Sequence, residues 1–309
     1  MNFTTDRIIS RRAMLATLGA SSLTATNWSI AKSDSTEFKL NYMLASCMYG
    51  KLDVRKCIEQ VTQIGATCID LWPPSHGDQR IQIDAIGHEQ YVMACKTAKV
   101  SPQMTTRYDL GPFGLADEIQ VVKQLGGKMI VCGSTGNREG SLKTQVADFI
   151  EKMRPHVTIA EKAGVVIAIE NHSSALINSL DSLRYFADMN KSANLGIALA
   201  PYHLPQNSQT IAKLIKHCNK SIVHFYAWEH GMGCHRKMPK PHELMQLPGF
   251  GTLDFTPILS ALRDIQYQGL TEIFMHPTPR GIPIMPSVEE SNAVINKSRE
   301  YLARCIDRI

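Results

Sequence analysis

The stretch Val165-Val166-Ile167-Ala168-Ile169-Glu170-Asn171-His172 decides the fold. Its first five residues form an unbroken apolar run rich in β-branched side chains, entered from Gly164 and left through a carboxylate and an imidazole. A run that short and that apolar reads as a strand buried on both faces, as strands of a parallel sheet are. Three further runs have the same form: Leu195 to Leu199 leads to His203, Ile222 to Tyr226 contains His224, and Leu270 to Met275 precedes His276. Strand, then functional residue, then helix is how a (β/α)₈ barrel builds a site from the C-terminal ends of its strands.

Outward from these four, the repeat extends over the chain. Leu40 to Ala45, Thr67 to Leu71, Val100 to Met104 and Lys128 to Val131 read as the first four strands, making eight in all. Between them lie stretches with apolar residues at helical spacing: Val54 to Ile64, His88 to Ala98, Leu115 to Leu125, Leu142 to Ala163, Leu183 to Met189, Ile211 to Cys218, Thr256 to Ile265 and Val288 to Cys305. Gly65, Gly126-Gly127, Gly164 and Gly269 each stand between a helix and the next strand, where a positive φ is expected. An open doubly wound sheet would use the same parts, but no Gly-x-Gly-x-x-Gly follows the first strand, so dinucleotide binding lacks support. The fold expected is a (β/α)₈ TIM barrel.

The first thirty or so residues stand apart. Ser10-Arg11-Arg12-Ala13-Met14-Leu15 is a twin-arginine pattern followed by a weakly apolar stretch, so residues 1–31 read as an export leader and 32–309 as a single barrel domain in the periplasm. The whole chain is 44% hydrophobic and 20% charged, with a net charge of +5. No basic run with interleaved aromatics points to nucleic acid. Beyond the leader no apolar stretch reaches the roughly 20 residues a spanning helix needs. The eight cysteines are scattered with no Cys-x-x-Cys pair, so they read mostly as small buried residues; an even count in an exported protein permits disulfides, and the sequence gives no connectivity.

The sequence resembles the sugar isomerase and epimerase family with the xylose-isomerase-like barrel, over nearly all of residues 32–309. The most specific parts are Glu170-Asn171-His172, Pro201-Tyr202-His203, His224, the run Leu247-Pro248-Gly249-Phe250-Gly251-Thr252-Leu253-Asp254-Phe255, and Tyr267-Gln268-Gly269. The resemblance implies a divalent metal held by Glu, Asp, His and Glu from strands five to eight. Glu170 and His224 match that pattern, whereas Ala200 and Phe274 stand where the Asp and the second Glu are expected. His203 and His276 are the replacements at hand, giving an expected ligand set of Glu170, His203, His224 and His276. One carboxylate and three imidazoles suit Zn²⁺, Mn²⁺ or Fe²⁺ better than Mg²⁺ or Ca²⁺.

The function expected is a metal-dependent isomerase or epimerase of a sugar or keto-sugar. Glu170 would be the base that forms an enediolate, and His172, two residues on, a second proton-transfer group. Trp72, Arg107, Trp228, Glu229 and His230 are candidates to bind substrate, since a Trp stacks on a sugar ring and an Arg grips a carboxylate or phosphate. Asp70, His76 and Tyr108 are weaker candidates. Two alternatives stay open: a lyase or hydrolase of an oxidised (keto) glycoside, and an exported, non-catalytic sugar-binding barrel that lost its metal. The partner expected is a small carbohydrate, with a homo-oligomer possible. The insertion Glu229 to Asp254, broken by prolines and glycines, reads either as a lid over the barrel mouth or as a solvated excursion.

Overall fold

A computed structural model describes residues 38–136, 139–233 and 235–309. The leader expected at residues 1–31 lies outside the described residues, as does Cys234 of the insertion. Phe38–Ile309 form one compact unit. Eight parallel strands close in sequence order into a barrel: β1 (Asn41–Ala45), β2 (Cys68–Leu71), β3 (Ser101–Thr106), β4 (Met129–Cys132), β5 (Val166–Glu170), β6 (Leu195–Leu199), β7 (Ile222–Ala227) and β8 (Leu270–Ile273). The pairing of β1 with β8, Asn41 opposite Leu270, completes the closure.

Helices α1 (Val54–Gln63), α2 (Gln79–Ile86), α3 (His88–Ala98), α4 (Ala116–Leu125), α5 (Leu142–Ala163), α6 (Leu180–Met189), α7 (Ser208–Cys218), α8 (Lys240–Leu244), α9 (Thr256–Asp264) and α10 (Val288–Ile306) fill the connections. They form for local reasons. In α1 the Asp53 side chain accepts the Arg55 N–H at the N-terminus, and Val54, Cys57, Ile58 and Val61 make one buried stripe. In α10 Ser287 and Glu290 cap each other reciprocally. Gly164 ends α5 at φ 69°. Gly269 differs from expectation, because the positive φ after α9 falls on Gln266 instead. Glycine is needed at 269 for closeness, since a Cβ there would stand 2.5 Å from the Val223 carbonyl oxygen on β7. Among the described residues, no helix is long and apolar enough to cross a membrane. Cys47, Cys57, Cys68, Cys95, Cys132, Cys218 and Cys305 are free and buried.

Barrel interiors are usually filled with branched apolar side chains, but this one carries a polar layer. Asp70, Thr106, His224 and Glu272 are fully buried, and Tyr226 is 1% exposed. The register explains how they meet. Glu170 pairs with Ala198, Ala198 with His224, and Tyr226 with Glu272, so the inward positions of β5, β7 and β8 stack toward the C-terminal mouth. A buried ion without a partner is costly, and the groups respond by giving up charge. Burial pushes Asp70 and Glu272 well above the usual carboxylate range and His224 down to about 3.

Candidate functional site

Above this layer a cavity of about 350 Å³ opens at the C-terminal ends of the strands. Its floor and sides are aromatic. Phe274, beyond β8, stacks on Trp72, beyond β2, with ring centroids 5.2 Å apart, and meets Trp228, beyond β7, edge-on at 5.0 Å. Trp228 in turn stacks on Tyr202 at 3.9 Å. Tyr108 and Tyr226 also face the cavity, and neither hydroxyl has a hydrogen-bond partner among the described residues. Planar rings with a few inward polar groups suit the faces of a sugar ring.

Two groups of ionisable side chains line the cavity. On the side of β5 and β6, the Glu170 carboxyl ends its strand and is 3% exposed. His203 Nε2 lies 3.5 Å from Glu170 Oε1, too poorly aligned for a hydrogen bond, and the His172 ring is 4.2 Å from the His203 ring. Burial pushes the Glu170 carboxyl up to about 7, offset in part by His172 and His224. Burial also lowers His172, and takes His203 down to about 4, so both imidazoles are neutral near pH 7. On the side of β2 and β8, His76 and His276 approach ring to ring at 4.8 Å, and Arg280 also lines the cavity. Burial lowers His76 to about 4 and takes His276 well below the ordinary imidazole value.

The expected metal centre does not assemble. Among the described residues, no three His, Cys, Asp or Glu are arranged to hold an ion. Glu170 and His203 lie 3.5 Å apart and His276 stands beside His76, while His224 is fully buried outside the lining with Nε2 3.4 Å from Glu272 Oε2. The reason is steric as well as chemical. The Phe274 ring sits among Trp72, Trp228, Tyr226 and His276, and Ala200 presents only a methyl group. The residues present do not fit the metal that the resemblance implied.

Three expected substrate residues also lie elsewhere. Arg107 points away from the cavity into an ion network with Glu118 and Asp109, and Glu118 in turn holds Arg80 through two bonds of 2.8 and 2.9 Å. Glu229 is 1% exposed, and its Oε2 accepts the Leu253 N–H at 2.8 Å, so it fastens the insertion. His230 stands beside Tyr202, with ring centroids 4.8 Å apart, outside the lining. Trp72, Trp228 and His172 do line the cavity.

Sequence reasoning missed Arg280 in the lining and Glu272 in the buried layer beneath it, while Tyr202 and Phe274, named within a motif and at an expected ligand position, line the cavity as aromatic rings. Arg280 follows His276 in the loop after β8, and the rule that such loops furnish barrel sites was the available signal. The insertion contributes His235 to the cavity lining, in keeping with a segment that lies over the barrel mouth. Gln246 anchors it by donating to the His276 carbonyl at 2.9 Å and accepting from His276 N–H and Trp228 Nε1–H, both at 3.2 Å.

Residues 114–305, more than half of the chain, match the family model described as "Xylose isomerase-like TIM barrel". No curated protein sequence matches the chain. Among solved structures, D-psicose 3-epimerase with D-tagatose from Clostridium cellulolyticum H10 is similar, with 14% identity over 86% of this chain and 99% of that one and a TM-score of 0.66. The 3-keto-D-glucoside 4-epimerase YcjR from E. coli, in its apo form, is 15% identical over 85% of this chain and 100% of its own, at TM-score 0.62. The IOLI protein with a bound zinc atom is 14% identical over 87% and 99%, at TM-score 0.64.

Proposed function

Because the chain belongs to the xylose isomerase-like TIM-barrel family, we propose that it acts on a sugar or keto-sugar as an isomerase or epimerase, with Glu170 as the base that removes a proton next to a carbonyl. The observation that carries this reading is one carboxyl, Glu170, held at about 7 at the edge of an aromatic pocket with two neutral imidazoles beside it. A base with a pKa near the working pH is half ionised and still strong enough to take the proton. Neutral His203 and His172 donate N–H bonds to the oxygen on which charge develops, and the protonated Glu170 carboxyl returns its proton to the intermediate, which restores the base. The two structurally similar epimerases of keto-sugars and keto-glucosides support this substrate class.

No step is routed through a divalent ion. The zinc in the similar IOLI protein keeps Zn²⁺, Mn²⁺ or Fe²⁺ in view for the family, but Phe274 and Ala200 occupy the ligand positions here. A second reading rests on Glu170 being the only acid among the described residues lining the cavity. Without a second carboxylate on the opposite face, abstraction that expels a leaving group from a keto-glycoside is favoured over return of the proton.

The test is incubation of the purified protein with keto-sugars and keto-glycosides in D₂O, read by loss of the α-proton signal. We expect exchange that survives chelator treatment and falls roughly 10²-fold to 10⁴-fold in Glu170→Gln. Exchange without isomer or epimer, but with a released fragment, selects the lyase. Sugar binding with no exchange in any case leaves a binding barrel and overturns the catalytic reading. We also propose export of the protein to the periplasm on the strength of Arg11-Arg12. Fractionation should find the Arg11→Lys, Arg12→Lys double variant retained in the cytoplasm, and unchanged export would refute the twin-arginine route.

A further inference from the structure

Just beyond β5 the chain makes a tight turn before α6. The Ala175 N–H donates to the His172 carbonyl at 2.9 Å and the His172 N–H to the Ile177 carbonyl at 3.1 Å, so residues 172–177 close on themselves. The chain after β4 holds this turn from outside, because the Ser134 hydroxyl accepts the Ile177 N–H at 2.8 Å. The Ser174 amide thereby has a set place, and its N–H donates to Nδ1 of the His172 ring at 3.3 Å. The Ser174 hydroxyl stands 3.0 Å from the same nitrogen. A backbone amide can only donate, so Nδ1 receives it on its lone pair and carries no proton. A neutral imidazole has one N–H, which then lies on Nε2. Among the described residues Nε2 has no hydrogen-bond partner, and the ring lines the cavity beside His203.

We propose that Ser174, through its backbone amide, is a positioning residue that fixes neutral His172 as the Nε2–H tautomer, so that His172 meets the substrate as a hydrogen-bond donor and not as a second base. This rests on the sugar-processing reading of the same pocket. In the step that forms the enediolate, the proton on the reacting carbon goes to the Glu170 carboxylate, the C–H electron pair becomes the new double bond, and the carbonyl π electrons move onto oxygen. The Nε2–H bond of His172 stays intact throughout and stabilises that oxygen. With its lone pair engaged by the Ser174 amide, the ring has no acceptor to offer the carbon-bound proton. A ring free to change tautomer would spend part of its time turning a lone pair toward the developing negative charge, whereas a donor fixed in advance needs no rearrangement when the charge appears.

The experiment is long-range ¹H–¹⁵N correlation spectroscopy of the full chain with labelled histidine nitrogens at pH 8, where an imidazole is neutral. The His172 signals are those that vanish in His172→Gln. Nδ1 should have the shift of a bare nitrogen and Nε2 that of a protonated one. Ser174→Ala, which keeps the amide, should retain this pattern, and Ser174→Pro, which removes it, should let a proton appear on Nδ1. A proton on Nδ1 in the wild type or in Ser174→Ala, or an unaltered pattern in Ser174→Pro, overturns the proposal. With a keto-sugar that exchanges its α-proton in D₂O, His172→Leu should slow exchange roughly 10²-fold to 10³-fold, as loss of an oxyanion donor does. His172→Gln, which supplies an N–H but no ring base, should lose at least tenfold less than His172→Leu. Equal loss in the two would mean that the ring itself takes the proton, and would overturn the donor role. A proton on Nδ1 together with exchange sinks this inference and leaves Glu170 as the base. The Nε2–H pattern with no exchange on any keto-sugar does the reverse.

Discussion

Glu170 does its work through its surroundings rather than its identity. In water a glutamate is almost fully ionised at pH 7 and too weak a base to take a carbon-bound proton; burial at the end of β5 raises its carboxyl to about 7. Activity should therefore rise with pH through about 7 and level off above it, since the ionised form is the active one. A rate profile that is flat from pH 5 to 9 would remove Glu170 from the role of base. Its position and that of His172 were legible because strand ends are legible. Arg107 was misread for the opposite reason: its carboxylate partner Glu118 lies on the next helix, and nothing in the linear sequence says that the pair closes in space.

Among the elements, the insertion between β7 and α9 bears most directly on the site. Its prolines and glycines suggested irregular chain, yet it contains α8 and is fixed to the strand ends through Gln246, which is fully buried. Gln246→Ala would leave the Trp228 indole N–H and both backbone groups of His276 without partners. Each buried polar group left unmet costs about 1 to 3 kcal/mol, so the variant should lose on the order of 3 kcal/mol in urea unfolding, and its sugar binding should weaken because Trp228 and His276 are no longer held. An unchanged unfolding midpoint would mean that water replaces the glutamine and the insertion is not anchored there.

The whole molecule carries opposed buried titratable groups, and their signs set its stability against pH. Glu170 and Glu229 are raised to about 7, and Asp70 and Glu272 well above the usual carboxylate range, so their contribution is full below the unfolded carboxylate pKa and is lost as pH rises through the folded values. His76 and His203, lowered to about 4, and His224, to about 3, contribute fully above 6.5 and lose that contribution as pH falls. The two sets oppose each other between about 4 and 6.5. Above 6.5 only the carboxylates still change, so stability should fall from pH 6.5 to 8.5. A carboxyl held at about 7 instead of 4.5 costs on the order of 3 kcal/mol once ionised. Glu170→Gln should therefore gain up to that much over the wild type at pH 8.5, and little at pH 4.5. Parallel unfolding curves for the two proteins at both pH values would contradict the burial argument.

The linear chain determined the barrel, its eight strands and most helix limits, because apolar periodicity and capping residues act over a few neighbours; α3 and α5 begin and end where the spacing predicts. It also placed Glu170, His172, His203 and His276 at strand ends. Which of them converge was decided only by the closed sheet. The stagger between β7 and β8 sets His224 against Glu272 below the floor, the Phe274 ring packs edge-on against the His276 ring, and α4 draws Arg107 away while the last loop brings Arg280 in. Convergence depends on contacts between residues far apart in sequence, and local patterning carries no record of those contacts.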